Sequence, residues 1–102
     1  LELPTYCDSF RISDTADSLG FIYGRLGDHA QAIRWFGHAL GLFREFGDRY
    51  NEADALLNLG DVFAAMGDHA AATRFWSDAA QIMREIDHPK ETEARQRLSG
   101  AN

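Results

Sequence analysis

The sequence is poor in the residues that would define a chemistry. It has one cysteine, Cys7, which rules out a disulfide framework and a cysteine-based zinc site. A lone thiol fits a reducing compartment, and a cytoplasmic location is expected on that ground. The two prolines, Pro4 and Pro89, lie near the ends, so no proline interrupts a helix between them. No apolar run approaches the roughly 20 residues that span a membrane, and no signal-peptide pattern is visible. Lysine occurs once, at Lys90, and the other nine basic residues are arginines. Ten basic residues against 16 acidic ones leave a formal charge of −6, which argues against direct binding of nucleic-acid phosphates. There is no glycine-rich phosphate loop. Ser9, Ser13, Ser18, Ser77 and Ser99 have no base or oxyanion partner at a catalytic spacing. No catalytic residue, cofactor or metal is therefore expected, and the chain reads as a non-enzyme.

What is present is a repeated pattern. The 102 residues are 45% hydrophobic, enough for one globular domain. Gly27-Asp28-His29-Ala30 recurs forty residues later as Gly67-Asp68-His69-Ala70. The similarity runs on through Leu19-Gly20 and Leu59-Gly60, Ala32 and Ala72, Arg34 and Arg74, and Ala39 and Ala79. Conservative pairs fill the gaps: Ile22 with Val62, Tyr23 with Phe63, and Trp35-Phe36 with Phe75-Trp76. A period of this size marks a repeat architecture. It also explains the Asp-His pairs as repeated helix starts rather than metal ligands.

Apolar residues recur at three-four spacing through both units, the signature of amphipathic helices. Glycine just past a helix end tolerates a left-handed backbone, and the following Asp can cap the next helix. Asp28 with Gln31 has capping-box spacing. Gly47-Asp48 makes the corner between units, and Asp87-His88-Pro89 stands in its place after the second unit. The pattern predicts five helices, at 9–26, 29–46, 49–66, 69–86 and 90–98. Gly20 and Gly60 fall inside helices at the same register, which predicts close helix–helix approach at both.

The sequence resembles the tetratricopeptide repeat. Leu19-Gly20-x2-Tyr23 and Leu59-Gly60-x2-Phe63 match the family's first helix, and Ala32-x3-Phe36-x2-Ala39 and Ala72-x3-Trp76-x2-Ala79 match its second. Ala16 and Leu56 stand where the family often has Trp, and the period is forty rather than thirty-four. The segments LFREFGDRYNEAD and LGD are similar to the C-terminal repeats of AfsR/SARP-type transcriptional regulators of actinobacteria, which carry DNA-binding and NTPase parts absent from this chain. The resemblance implies an all-α fold, an antiparallel helix-pair solenoid with a C-terminal capping helix. Residues 9–48 and 49–88 form the repeats, 1–8 a tail or the end of a preceding repeat, and 89–102 the cap and tail.

By the same resemblance, the first helix of each repeat lines a concave groove. Residues sharing that face are Asp14, Asp17, Phe21 and Arg25, then Asp54, Leu57, Asp61 and Ala65. Such a groove is acidic with an apolar strip and suits a basic or amphipathic protein segment. The expected function is a non-catalytic protein–protein interaction or regulatory sensing module from an NTPase-coupled transcriptional regulator. The alternative is self-association, including a homodimer. In the closing helix, Ala94 and Leu98 are expected to face the core, and Lys90, Glu91, Glu93, Arg95, Gln96 and Arg97 to face water. The first helix is expected to expose an apolar face where an earlier repeat would stack.

Overall fold

The structure, a computed structural model, describes the backbone of residues 5–100 and the side chains of residues 15–100. Five helices follow one another: α1 (Thr5–Arg25), α2 (His29–Phe46), α3 (Arg49–Ala65), α4 (His69–Glu85) and α5 (Glu91–Gly100). Every helix end and start at the four corners falls within a residue of the sequence expectation, and the largest departures are at the termini. α1 begins at Thr5, four residues before the expected start at residue 9. No glycine or proline between residues 5 and 19 opposes that extension. α5 likewise runs on to Gly100.

Each corner is closed by the same backbone device. Gly27, Gly47 and Gly67 take φ of 81°, 68° and 88°, the left-handed region that glycine enters without steric cost. The amide after each glycine reaches back to the preceding helix: Asp28 to the Tyr23 carbonyl, Asp48 to Phe43 and Asp68 to Phe63, each at 2.9 Å. This double-backed hydrogen bonding satisfies carbonyls that a helix end leaves without partners. After α4 the glycine is replaced by Asp87, at φ 57°, and the His88 amide donates to Met83 at 2.7 Å. The corner geometry therefore survives a change of residue, at the cost of a left-handed conformation that Asp tolerates better than most.

The same aspartates then cap the next helices. Asp28, Asp48 and Asp68 each accept, through Oδ1, an amide three residues on, all at 3.2 Å. The reciprocal bond of a capping box, from the Asp28 amide to the Gln31 side chain, is not made, because that amide already donates to the Tyr23 carbonyl. Asp48 gains a second bond instead, from Asn51 Nδ2 to Oδ2 at 2.7 Å. Replacing Asp28 or Asp68 with Ala should cost about 0.5–2 kcal/mol of stability. Asp48→Ala should fall at the upper end, since it breaks two bonds. Thermal melts of the three variants check the order, and equal midpoints for all three and the native chain would refute the capping role.

Packing runs along the chain. α1 lies on α2, α2 on α3, α3 on α4 and α4 on α5. α3 is the central helix, covered on more than one side. Ala53, Ala55, Leu56, Leu57, Leu59 and Val62 are all buried in it, which is why its apolar residues form a wide arc rather than a stripe. Ala32, Phe36, Ala39 and Phe43 face them from α2, and Ala72, Trp76, Ala79 and Met83 from α4. The small residues let the helix axes approach. At Gly20 a Cβ would stand 2.7 Å from the Phe36 ring, and at Gly60 it would stand 2.5 Å from Trp76 Nε1. Both mid-helix glycines thus mark the close approaches that their register predicts.

Candidate functional site

The groove face is built from α1 and α3, with α5 beyond them. A depression of about 200 Å³ opens between α1 and α3 above the start of α2. Gly20, Phe36 and Val62 line its floor, and Phe21, Arg25, His29, Asn58, Asp61 and Ala65 surround it. The Phe21 ring meets Phe36 edge-on, with centroids 5.5 Å apart and planes at 81°, a favoured aromatic arrangement that leaves Phe21 half in water. Asn58 is only 9% exposed, and its Nδ2 has no hydrogen-bond partner. His29 Nδ1 is likewise buried and without a partner. Unpaired buried polar atoms carry a desolvation cost of about 1–3 kcal/mol each, so both have a donor or acceptor capacity still to be met.

The residues read from the sequence as one face have different fates. Phe21, Arg25, Asp61 and Ala65 come together around the depression. Asp17 is partly buried on the same helix. The side chain of Asp14 lies outside the described residues. Leu57 is not on an open face: it is 2% exposed and belongs to the core. A single-stripe reading fails there because α3, as the middle helix, buries a wider arc than α1. Asp54 and Asp61 are also not open acidic positions. Lys90 Nζ lies 2.8 Å from Asp54 Oδ1, and Arg97 bonds both oxygens of Asp61 at 2.6 and 3.1 Å. Lys90 and Arg97, expected to face water, instead turn onto α3. Ala94 is buried and Leu98 packs against the core.

Equivalent positions of the two repeats differ in an informative way. Phe21 against Phe36 in the first repeat becomes Asp61 against Trp76 in the second, where the indole Nε1 donates to Asp61 Oδ1 at 3.0 Å. An aromatic pair has been exchanged for a polar one. Nothing in the spacing of either repeat signals this bond, although the paired change from Phe-Phe to Asp-Trp could have suggested it.

His88 was visible in the sequence only as a corner residue. In the structure it sits in the turn before α5, where its Nδ1 accepts the Lys90 amide at 3.0 Å. The ring is 4% exposed and stacks on Tyr50 with centroids 3.9 Å apart. Accepting at Nδ1 requires the neutral ring. Burial lowers the His88 pKa from 6.5, and Lys90 adds to that effect, while Asp54, the Tyr50 backbone and Glu93 oppose it. Lys90 moves the other way, raised from 10.5 chiefly by its hydrogen bond to Asp54. Because the folded His88 pKa lies below the unfolded value, the unfolded chain binds the extra proton, and stability contributed by neutral His88 is lost as pH falls below about 6.5. His88→Asn should retain a side-chain acceptor for the Lys90 amide while flattening the melting-point profile in that window. An undiminished slope in the variant would assign the pH dependence elsewhere.

Two stacked antiparallel helix pairs closed by a further helix define a helical-repeat scaffold. Residues 11–85 match the family described as Tetratricopeptide repeat, and the chain belongs to that family. Its repeats generally mediate protein–protein interaction. No curated protein matches the chain significantly. Among the described residues no helix is long and apolar enough to cross a membrane.

Proposed function

We propose that this chain is a non-catalytic interaction module that receives an amphipathic protein segment on the α1–α3 side of its concave face. The observation that carries the reading is the depression framed by Phe21, Arg25, His29 and Asn58, with an apolar floor and an unpartnered Asn58 Nδ2. Its size favours a side chain over a metabolite, since small-molecule sites usually enclose about 300–1,000 Å³. An apolar anchor would fill the floor, and a carbonyl of the same segment would meet the Asn58 amide. Selection of binders from a random peptide library on the full chain tests this. Phe21→Ala should weaken the selected peptides by about tenfold or more, the loss expected of one aromatic anchor. Trp35→Ala, on α2 and away from the depression, should leave them unchanged. Binding indifferent to Phe21 would refute the site.

The biological setting we infer is an NTPase-coupled transcriptional regulator in the cytoplasm, supported by the likeness of residues 42–54 to the AfsR/SARP branch. Coding sequence for a phosphate-binding loop and a DNA-binding region upstream in the same gene would bear on it directly. Self-association is a second reading with its own observation. Ile22 is 53% exposed, whereas its repeat equivalent Val62 is 7% exposed. The face of α1 that carries Ile22, with Leu26 just past the helix end, reads as the stacking face of a solenoid, uncovered among the described residues. A concentration-dependent dimer in light scattering that Ile22→Lys abolishes would favour this reading.

A further inference from the structure

α5 packs on α4 and is held by a small set of contacts. Ala94 is buried and Leu98 packs against the core. Lys90, in the turn before the helix, pairs with Asp54, and Arg97 pairs with Asp61. The remaining anchor is His88 in the same turn. Its ring is buried on Tyr50, its Nδ1 accepts the Lys90 amide, and its own amide donates to the Met83 carbonyl at the end of α4. These three contacts fix the direction in which α5 leaves α4. Histidine is the side chain whose charge ordinarily changes between about pH 5 and pH 8, and His88 is the one histidine among these groups. The space around the ring suits its neutral form. With Nδ1 accepting, the proton sits on Nε2, which is buried and has no hydrogen-bond partner. A second proton would occupy Nδ1, facing the Lys90 N–H, and that bond would be lost. The charges around the ring are divided. Asp54 of α3 and Glu93 of α5 favour the imidazolium, as does the Tyr50 backbone, whereas Lys90 opposes it. Asp54 is already paired with the Lys90 ammonium at 2.8 Å. α4 contributes the Met83 carbonyl, which the His88 amide engages.

We propose that α5 is an acid-released cover: protonation of His88 breaks its bond to the Lys90 amide, loosens the turn and lets α5 leave α4 while α1–α4 stay folded. The linkage has one sign. Docked α5 holds the neutral ring, and the released turn exposes it to water. Burial disfavours the charged ring in the docked form, so the released form binds the proton more tightly and gains population as pH falls below about 6.5. The release is confined to α5 because the large buried side chains, Phe36, Leu56, Leu57 and Met83, belong to α2, α3 and α4. Segments with few buried apolar contacts open without the rest of the fold. A chain of bonds carries the event further. Arg97 of α5 holds Asp61 through both oxygens, and Asp61 accepts the Trp76 indole N–H. Departure of α5 therefore leaves Asp61, on the rim of the depression, without its cation. That consequence affects binding only if the depression is the site proposed above, whereas the release itself does not depend on that reading.

The test is hydrogen exchange of the full chain, corrected for the intrinsic pH dependence of amide chemistry. The opening equilibrium of the α5 amides should rise about threefold or more between about pH 7.5 and about pH 5, while that of the α2 and α3 amides holds. His88→Asn keeps an acceptor for the Lys90 amide and takes up no proton in this range, so its α5 should exchange alike at both pH values. His29, His38 and His69 remain in that variant, and a pH response that survives in it overturns the assignment to His88. If His88→Asn leaves α5 unprotected at both pH values, the native ring decides the matter. Its NMR titration should have a midpoint below the value of about 6.5 for an exposed histidine. In the Trp35→Phe chain, where Trp76 is the single indole, the emission should shift with the same midpoint as Asp61 loses Arg97. A ring midpoint at or above the exposed value, or opening of α2 and α3 together with α5, overturns the proposal. None of these readouts involves a bound peptide, so their failure is distinct from failure of the Phe21 test.

Discussion

Gly60→Ala should destabilise the fold by about 1–3 kcal/mol, although alanine is the better helix former by about 1 kcal/mol. The new methyl would lie 2.5 Å from Trp76 Nε1 and closer still to Cδ1. The indole cannot yield without breaking its bond to Asp61, and Asp61 in turn holds Arg97 of α5. The damage should therefore spread from the α3–α4 contact into α5. In a domain of this size each kcal/mol lowers the melting midpoint by about 4–8 °C, which circular dichroism resolves easily. Coupling supplies the control. Trp76→Leu should cost less in the Gly60→Ala background than in the native one, since residues in contact are not additive. A raised midpoint for Gly60→Ala would mean that helix propensity, not close approach, governs this position.

Phe36→Ala should have a larger effect still, about 3–5 kcal/mol. The ring is 2% exposed, lies against Gly20 and supports Phe21 edge-on. Its loss leaves a void on the floor of the depression that no neighbouring side chain is long enough to fill, because the wall opposite is glycine. Against a total stability of about 5–15 kcal/mol for natural domains, this is a substantial fraction. Urea unfolding should show a lower midpoint with an unchanged slope if the variant still folds as one unit. Trp35→Ala makes the comparison, since Trp35 is only partly buried and points its ring towards His38. If the two variants lose the same stability, Phe36 is not the keystone of the first repeat.

The local rules were legible because they depend on neighbours in the chain. A glycine that must go left-handed and an aspartate that must accept an amide three residues on carry their geometry wherever they occur. Gly27-Asp28, Gly47-Asp48 and Gly67-Asp68 could accordingly be read as corners without a structure, and the helices between them followed from three-four spacing. Gly20 and Gly60 were legible for a related reason: a helix keeps such a costly residue twice at one register where a neighbour must come close, here the rings of Phe36 and Trp76. The candidate site was less readable. Whether Asp54 and Asp61 are open depends on where α5 lies, and the 36-residue separation of Lys90 from Asp54 and of Arg97 from Asp61 obeys no local rule. Leu57 looked like a groove residue because its spacing from Asp54 is helical. It is core because α3 has neighbours on more than one side, a fact of stacking order. His88 is buried for the same reason: Tyr50, 38 residues earlier, supplies the surface on which its ring stacks. Periodicity along a helix specifies which residues share a face, but the environment of that face is set by helices that arrive from distant parts of the chain.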